Sequence, residues 1–154
     1  MASYTKLTYH VVFSTKHRVK SVRERIREPL YRYIGGVIRE RSGHLIEIGG
    51  TEDHLHLLVN FSPASSISGM VRDIKALAAR WANGLPKTRN RLEWQKGYSA
   101  FTVSHSSIPS VRTYILNQRK YHRTRSFEDE YTELLKRHHI EFDTRYLFEA
   151  EHQG

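Results

Sequence analysis

The strongest constraint on the fold of this chain is the order in which its hydrophobic periods change. Residues 4–14, YTKLTYHVVFS, form a strand-length run of β-branched and aromatic side chains that ends in the polar basic turn TKHR. Residues 21–41 then place Val22, Ile26, Leu30, Ile34, Val37 and Ile38 at helical spacing. Ser21 is the expected N-cap, Gly43 the stop, and Pro29 a start or kink within the helix. Two short strands follow over 44–49 and 54–61, joined by GGTED as a tight connection. A second helix over 65–84 opens at the serines after Pro63 and repeats Ile67, Met70, Val71, Ile74, Leu77, Ala78 and Trp81. The basic loop PKTRNR leads to a fourth strand around 98–104. A third helix, with Pro109 in its first turn, is expected over about 108–122. A C-terminal helical extension is expected over about 126–145, with Glu128, Asp129 and Glu130 suiting its dipole. The order β-α-β-β-α-β predicts an α+β, ferredoxin-like antiparallel sheet with helices packed on one face and helices added at the C-terminus. Residues 1–154 read as one domain whose tail, 146–154, carries little signal.

Composition narrows the function classes. The 154 residues contain no cysteine, which excludes disulfides, thiolate zinc sites and cysteine nucleophiles together. No apolar run approaches the roughly 18 residues of a membrane span, and the N-terminus lacks a signal-peptide core. A cytoplasmic protein is expected. Lys and Arg number 25 against 16 Asp and Glu, giving a net charge of +9. An excess of that size favours a polyanion partner, nucleic acid first and anionic membrane second.

His54-Leu55-His56 lies inside the predicted third strand. Strand side chains alternate, so the two imidazoles share one face and can converge on a divalent metal. Ten histidines in 154 residues supply roughly 0.6 such triplets by chance, so the motif alone proves little. A second constellation is VRTYILNQRKYH, residues 111–122, in which Tyr114, Gln118 and His122 are one helical turn apart and share a face. A solvated helix face is the ordinary reading of such a stripe.

Several segments together resemble the small single-tyrosine transposases of the HUH class, carried by IS200-like insertion sequences. They are YHVVFSTKHR, EDHLHLLVNFSP, SSISGMVRDIKALAARW, WQKGYSAFTVSHSS leading into VRTYILNQRKYH, and FEDEYTELLKRHHIEFDTRYLF near the end. The resemblance implies that His54 and His56 hold a divalent ion, Mg2+ or Mn2+, that Gln118 is its third ligand, and that Tyr114 is the catalytic tyrosine. It implies cleavage and rejoining of single-stranded DNA, with hairpin-containing element ends, through a 5′-phosphotyrosine and without a nucleotide cofactor. It also implies a homodimer in which the tyrosine helix of one subunit completes the other's histidine site. The Ser-rich SHSSIPS connection is compatible with either docking, so the residues leave cis and trans open.

Arg112, Arg119, Lys120, Arg123 and Arg125 flank the tyrosine, Lys87, Arg89 and Arg91 crowd one loop, and Lys16, His17 and Arg18 follow the first strand. These are the expected nucleic-acid contacts, with a solvated basic surface as the ordinary alternative. Asp53 should point away from His54 and reads as a turn or metal-supporting residue. His10 reads as a packed core neighbour, and His44, His105, His138 and His139 have no ligand spacing. The acceptor of the tyrosine proton is open; His122 is one candidate, its ordinary reading being a surface or phosphate-facing residue. The alternative function is a host-adopted single-stranded nucleic-acid-binding protein on the same fold, and a weaker one a hydrolase using the histidines without a covalent tyrosine.

Overall fold

The computed structural model describes residues 2–86, 91–143 and 147–148. Strands β1 (Thr8–Ser14), β2 (His44–Thr51), β3 (His54–Asn60) and β4 (Ser99–Thr102) form one sheet in the order β2-β3-β1-β4, with every neighbouring pair antiparallel. Helices α1 (Glu24–Glu40) and α2 (Ile67–Asn83) are the crossovers of the expected β-α-β-β-α-β order. Three more follow: α3 (Ile108–Leu116), α4 (Gln118–Tyr121) and α5 (Phe127–Arg137).

Alternation along the strands divides the structure into two faces. Val11 and Phe13 of β1 and Leu55, Leu57 and Val59 of β3 join Leu30, Ile34 and Ile38 of α1 and Met70, Val71 and Ile74 of α2 in the main core. Each such side chain, fully buried, contributes about 1.5–3 kcal/mol of transfer free energy. The opposite face is covered as well. There Val12 and Phe101 pack with Phe127, Leu134 and Leu135 of α5. The expectation of helices on one face therefore holds for α1 and α2 only, because the C-terminal segment folds back over the sheet.

Local expectations are corrected at four points. The N-cap of α1 is Arg23, and Ser21 is buried before the helix begins. Pro29 neither starts nor ends α1; it lies near the N-terminal end, where one hydrogen bond is lost and burial of Leu30 and Ile34 holds the helix together. Gly49 and Gly50 belong to β2, and the turn itself is only Glu52-Asp53. The third helix is divided at Asn117, which leaves helical geometry at φ −96° and ψ 17°. Ser66 and Ser126 cap α2 and α5 as their positions suggest, each accepting a hydrogen bond from the backbone N–H three residues on.

Gly49 sets the docking of the tyrosine-bearing helix. A Cβ there would lie 2.4 Å from the carbonyl oxygen of Ile115, a residue with no exposed surface. At Gly50 a Cβ would lie 2.1 Å from the carbonyl of His54 in the adjacent strand. Gly49→Ala is expected to push α3 off β2 and to destabilise the fold by about 1–3 kcal/mol, the usual cost of overpacking. Urea unfolding measures it, and an unchanged midpoint would mean that α3 is not held against β2 here.

Candidate metal centre

His54 and His56 project from β3 on the face opposite Leu55 and Leu57, and both are fully buried. Their supports come from the strands around them. The register places Val12 of β1 opposite His56, so His10 two residues earlier shares its face. His10 Nε2 lies 2.8 Å from His56 Nδ1, with the rings stacked at 5.0 Å. His10 is thus more than a packed neighbour: it meets the ring nitrogen that faces away from the site. Asp53 corrects its expectation. As a turn residue it escapes strand alternation, and its Oδ1 accepts from His54 Nδ1 at 2.7 Å and from the Thr51 hydroxyl at 2.9 Å. A carboxylate or imidazole behind each ring fixes its orientation and tautomer, the arrangement common behind metal-binding histidines.

The C-terminal helices complete the pocket. Despite the break at Asn117, Tyr114, Gln118 and His122 meet as the predicted stripe, and their common target is Glu130 of α5. Glu130 Oε1 lies 3.1 Å from His56 Nε2, 2.9 Å from His122 Nε2 and 3.5 Å from His54 Nε2. Glu130 Oε2 accepts from Gln118 Nε2 at 2.8 Å and from the Tyr114 hydroxyl. Glu130 is 1% exposed. Sequence reasoning assigned this residue to the helix dipole and missed the site; its position in a first turn gave no signal that it points inward.

The lone pairs decide what the pocket can hold. His54 Nδ1 must carry its hydrogen toward the Asp53 carboxylate, which only accepts. The Gln118 amide is oriented by its N–H bond to Glu130, so its Oε1 faces His54 Nε2 at 2.7 Å. The His54 Nε2 edge and the Gln118 amide oxygen thus converge on one point, a donor pair suited to a cation. His54, His122 and Glu130 have donor atoms within 4.8 Å of one another. The residues present therefore fit a divalent metal.

Burial and charge set the protonation states. Burial, aided by His56, lowers His10 to about 3, so it remains neutral beside the His56 ring. Burial also lowers His56, and Glu130 only partly opposes it. For His122 burial is outweighed by the hydrogen bond to Glu130, and its value rises. Burial would raise Glu130, yet hydrogen bonds from His122 and His56 hold it well below the usual carboxylate range. Burial and the adjacent Glu130 charge raise Tyr114. The phenolic hydrogen points to Glu130, not to His122, and Glu130 is a weak base in this arrangement.

Two clefts flank the centre. One of about 600 Å³ is lined by Tyr114 with His10, Ser104, Ser107 and Arg137; the other, of about 570 Å³, by His122 and Asp53 with Arg18, Lys20, Arg119, Arg123 and Arg125. Among the expected nucleic-acid contacts, Arg112, Arg119, Lys120, Arg123 and Arg91 are exposed and Lys16 is half-buried. Arg112 pairs with Glu47 and Arg119 with Glu52. Arg18 differs: its side chain is 10% exposed, with Nε 2.8 Å from Glu128, so it ties the loop after β1 to α5. Lys87 and Arg89 lie outside the described residues.

The lowered His10 value has a consequence for stability. Below its ordinary value of 6.5 the unfolded histidine takes up a proton that the folded one refuses until about 3, so stability falls as pH drops through this window. His56 acts in the same sense. His122, being raised, loses its contribution only at higher pH. In chelator-treated protein, unfolding free energy is expected to fall between pH 6.5 and about 5, and His10→Gln to flatten that slope; an equal slope would overturn the assignment.

Comparison with known proteins agrees with this architecture. Residues 3–118 match the family model described as "Transposase IS200 like". The chain is 25% identical over 118 residues to the ISDra2 transposase TnpA of Deinococcus radiodurans, covering 73% of this chain and 84% of that protein. It is 27% identical over 119 residues to the transposase for insertion sequence element IS200 of Salmonella typhimurium, covering 71% and 75%. The structure of a REP-associated tyrosine transposase bound to a REP hairpin superposes with a TM-score of 0.60 at 18% identity, over 79% of this chain and 72% of that one, a likeness of fold. With three quarters of its length matched by the family model, this chain belongs to the IS200-like transposases.

Proposed function

We propose that the chain is a metal-dependent transposase that cuts and rejoins single-stranded DNA in the cytoplasm, with Tyr114 as its nucleophile. The observation that carries this reading is the meeting of Tyr114 with the buried His56 and with Glu130, on which both histidines of that strand converge, in a centre flanked by a cleft of basic side chains. His54, His56 and Gln118 are the residues that would hold Mg2+ or Mn2+. Bound there, such a cation polarises the scissile phosphate and offsets charge growing on its oxygens.

The protein's own groups do the rest. The Tyr114 oxygen gives up its proton and attacks phosphorus, forming the tyrosyl–phosphate bond as the bond to the 3′ oxygen breaks. That oxygen takes up a proton and leaves as a 3′-hydroxyl, while the 5′ end stays on the protein as phosphotyrosine. Reversal by another strand's 3′-hydroxyl joins DNA without a nucleotide cofactor. Held protonated against Glu130, the phenol is a poor nucleophile, and attack requires that this hydrogen bond open. Lys16, Arg91, Arg112, Arg119, Lys120 and Arg123 would hold the strand by its phosphates and carry no sequence information themselves. A solved relative in fold holds a REP hairpin; a hairpin-bearing single strand is the corresponding substrate here.

In this reading Tyr114 serves the histidines of its own chain, since its ring lies 5.6 Å from that of His56 within one polypeptide. The homodimer implied by the resemblance would then contain two self-sufficient sites.

Tyr114→Phe is expected to abolish the covalent protein–DNA adduct formed with a labelled oligonucleotide and Mn2+, with affinity for the oligonucleotide staying within a few-fold. An adduct at the parental rate would remove Tyr114 from the role. Mixing tests the cis arrangement. Tyr114→Phe and His56→Ala proteins, each inactive, are co-refolded and heterodimers isolated. No recovery of cleavage is expected, and recovery would show that the tyrosine acts in trans.

A further inference from the structure

The metal reading above names three neutral ligands, all from segments matched by the family model or at its edge, whereas Glu130 lies on α5, twelve residues beyond that match. Its carboxylate is nevertheless the point on which the pocket converges. Around a cation with bonds of about 2.1 Å, adjacent ligand atoms stand about 3.0 Å apart. Glu130 Oε1 stands 2.9 Å, 3.1 Å and 3.5 Å from the Nε2 atoms of His122, His56 and His54. These separations are close to that spacing, with Oε1 common to all three.

Charge points the same way. Two imidazoles and an amide leave the charge of a buried dication uncompensated, and burying charge without a counter-charge is costly. Mg2+ and Mn2+ also favour oxygen ligands, of which the neutral set offers one. Glu130 supplies both the negative charge and the second oxygen. Its other oxygen accepts from Gln118 and Tyr114, so the group that would bind the metal also orients an amide ligand and the nucleophile.

We propose that Glu130 is the anionic ligand of this metal centre, delivered by the C-terminal helix α5, so that metal binding and docking of α5 on the sheet are one event. The proposal rests on the metal reading of the site, and the test separates the two. Mn2+ binding to the protein without DNA is followed by titration calorimetry and by loss of the free-ion EPR signal. Glu130→Gln is expected to weaken Mn2+ binding at least about tenfold, because a group that fixes a metal ligand already costs that much. Mn2+ should raise the melting temperature of the parent and raise that of Glu130→Gln much less. Equal or tighter binding by folded Glu130→Gln would overturn the proposal, since the carboxylate would then block the pocket or stand aside from it. If Glu130→Gln does not fold, Glu130→Asp decides: a withdrawn carboxylate should bind Mn2+ more weakly than the parent, and unchanged affinity overturns the assignment. A parent that binds no Mn2+ overturns the metal reading and this proposal together; Mn2+ binding lost in His56→Ala but kept in Glu130→Gln overturns only the latter.

Discussion

The contact on which the rest of this structure depends is the buried carboxylate of Glu130. It joins β3 through His56, the α3–α4 segment through Tyr114 and Gln118, and the end of α4 through His122, while itself belonging to α5. A carboxylate this deep is tolerated because both oxygens are engaged and His122, whose value is raised, supplies compensating charge. The same crowding raises Tyr114 and lowers Glu130, so the phenol rests protonated and the carboxylate ionised. The hub thus holds the C-terminal helices in place and keeps the Tyr114 phenol protonated.

Rigidity reaches this hub from the other side of the sheet. Leu55 and Leu57 anchor β3 in the main core, and the backbone between them and their neighbours presents His54 and His56 with no freedom of direction. Asp53 and His10 then fix each ring about its own axis. The two glycines of β2 allow this density, since side chains there would meet the backbone of Ile115 and of His54. One strand therefore serves stability with its odd positions and chemistry with its even ones.

The basic excess is arranged differently from the core. Arg112, Arg119 and Arg125 are exposed and paired with Glu47, Glu52 and Glu133. Exposed pairs of this kind contribute about 0–1 kcal/mol, so exchanging a carboxylate for a phosphate costs the fold little. Arg18 is in another class. Buried against Glu128, it stabilises the seat of α5, and its loss would disturb the site by moving that helix.

The element order, the sheet and the pairing of the two histidines on one face were legible in the sequence because each follows from a local period: two for strands, 3.6 for helices. Tyr114, Gln118 and His122 were legible as a stripe for the same reason, even though Asn117 breaks the helix beneath them. Misreadings came where period does not govern. Asp53 sits in a turn, so its side chain folds back on His54, and Gly49 and Gly50 look like turn residues but are strand residues chosen for close approach. Most of all, nothing local distinguishes Glu130 from Glu128 and Asp129. All three suit the first turn of a capped helix, and only the folding of α5 across the sheet turns one of them inward. The sequence by itself determined which residues share a face, because that is a property of backbone geometry. Which faces meet was decided by the tertiary structure, because it depends on contacts between residues 74 positions apart, as in His56 and Glu130.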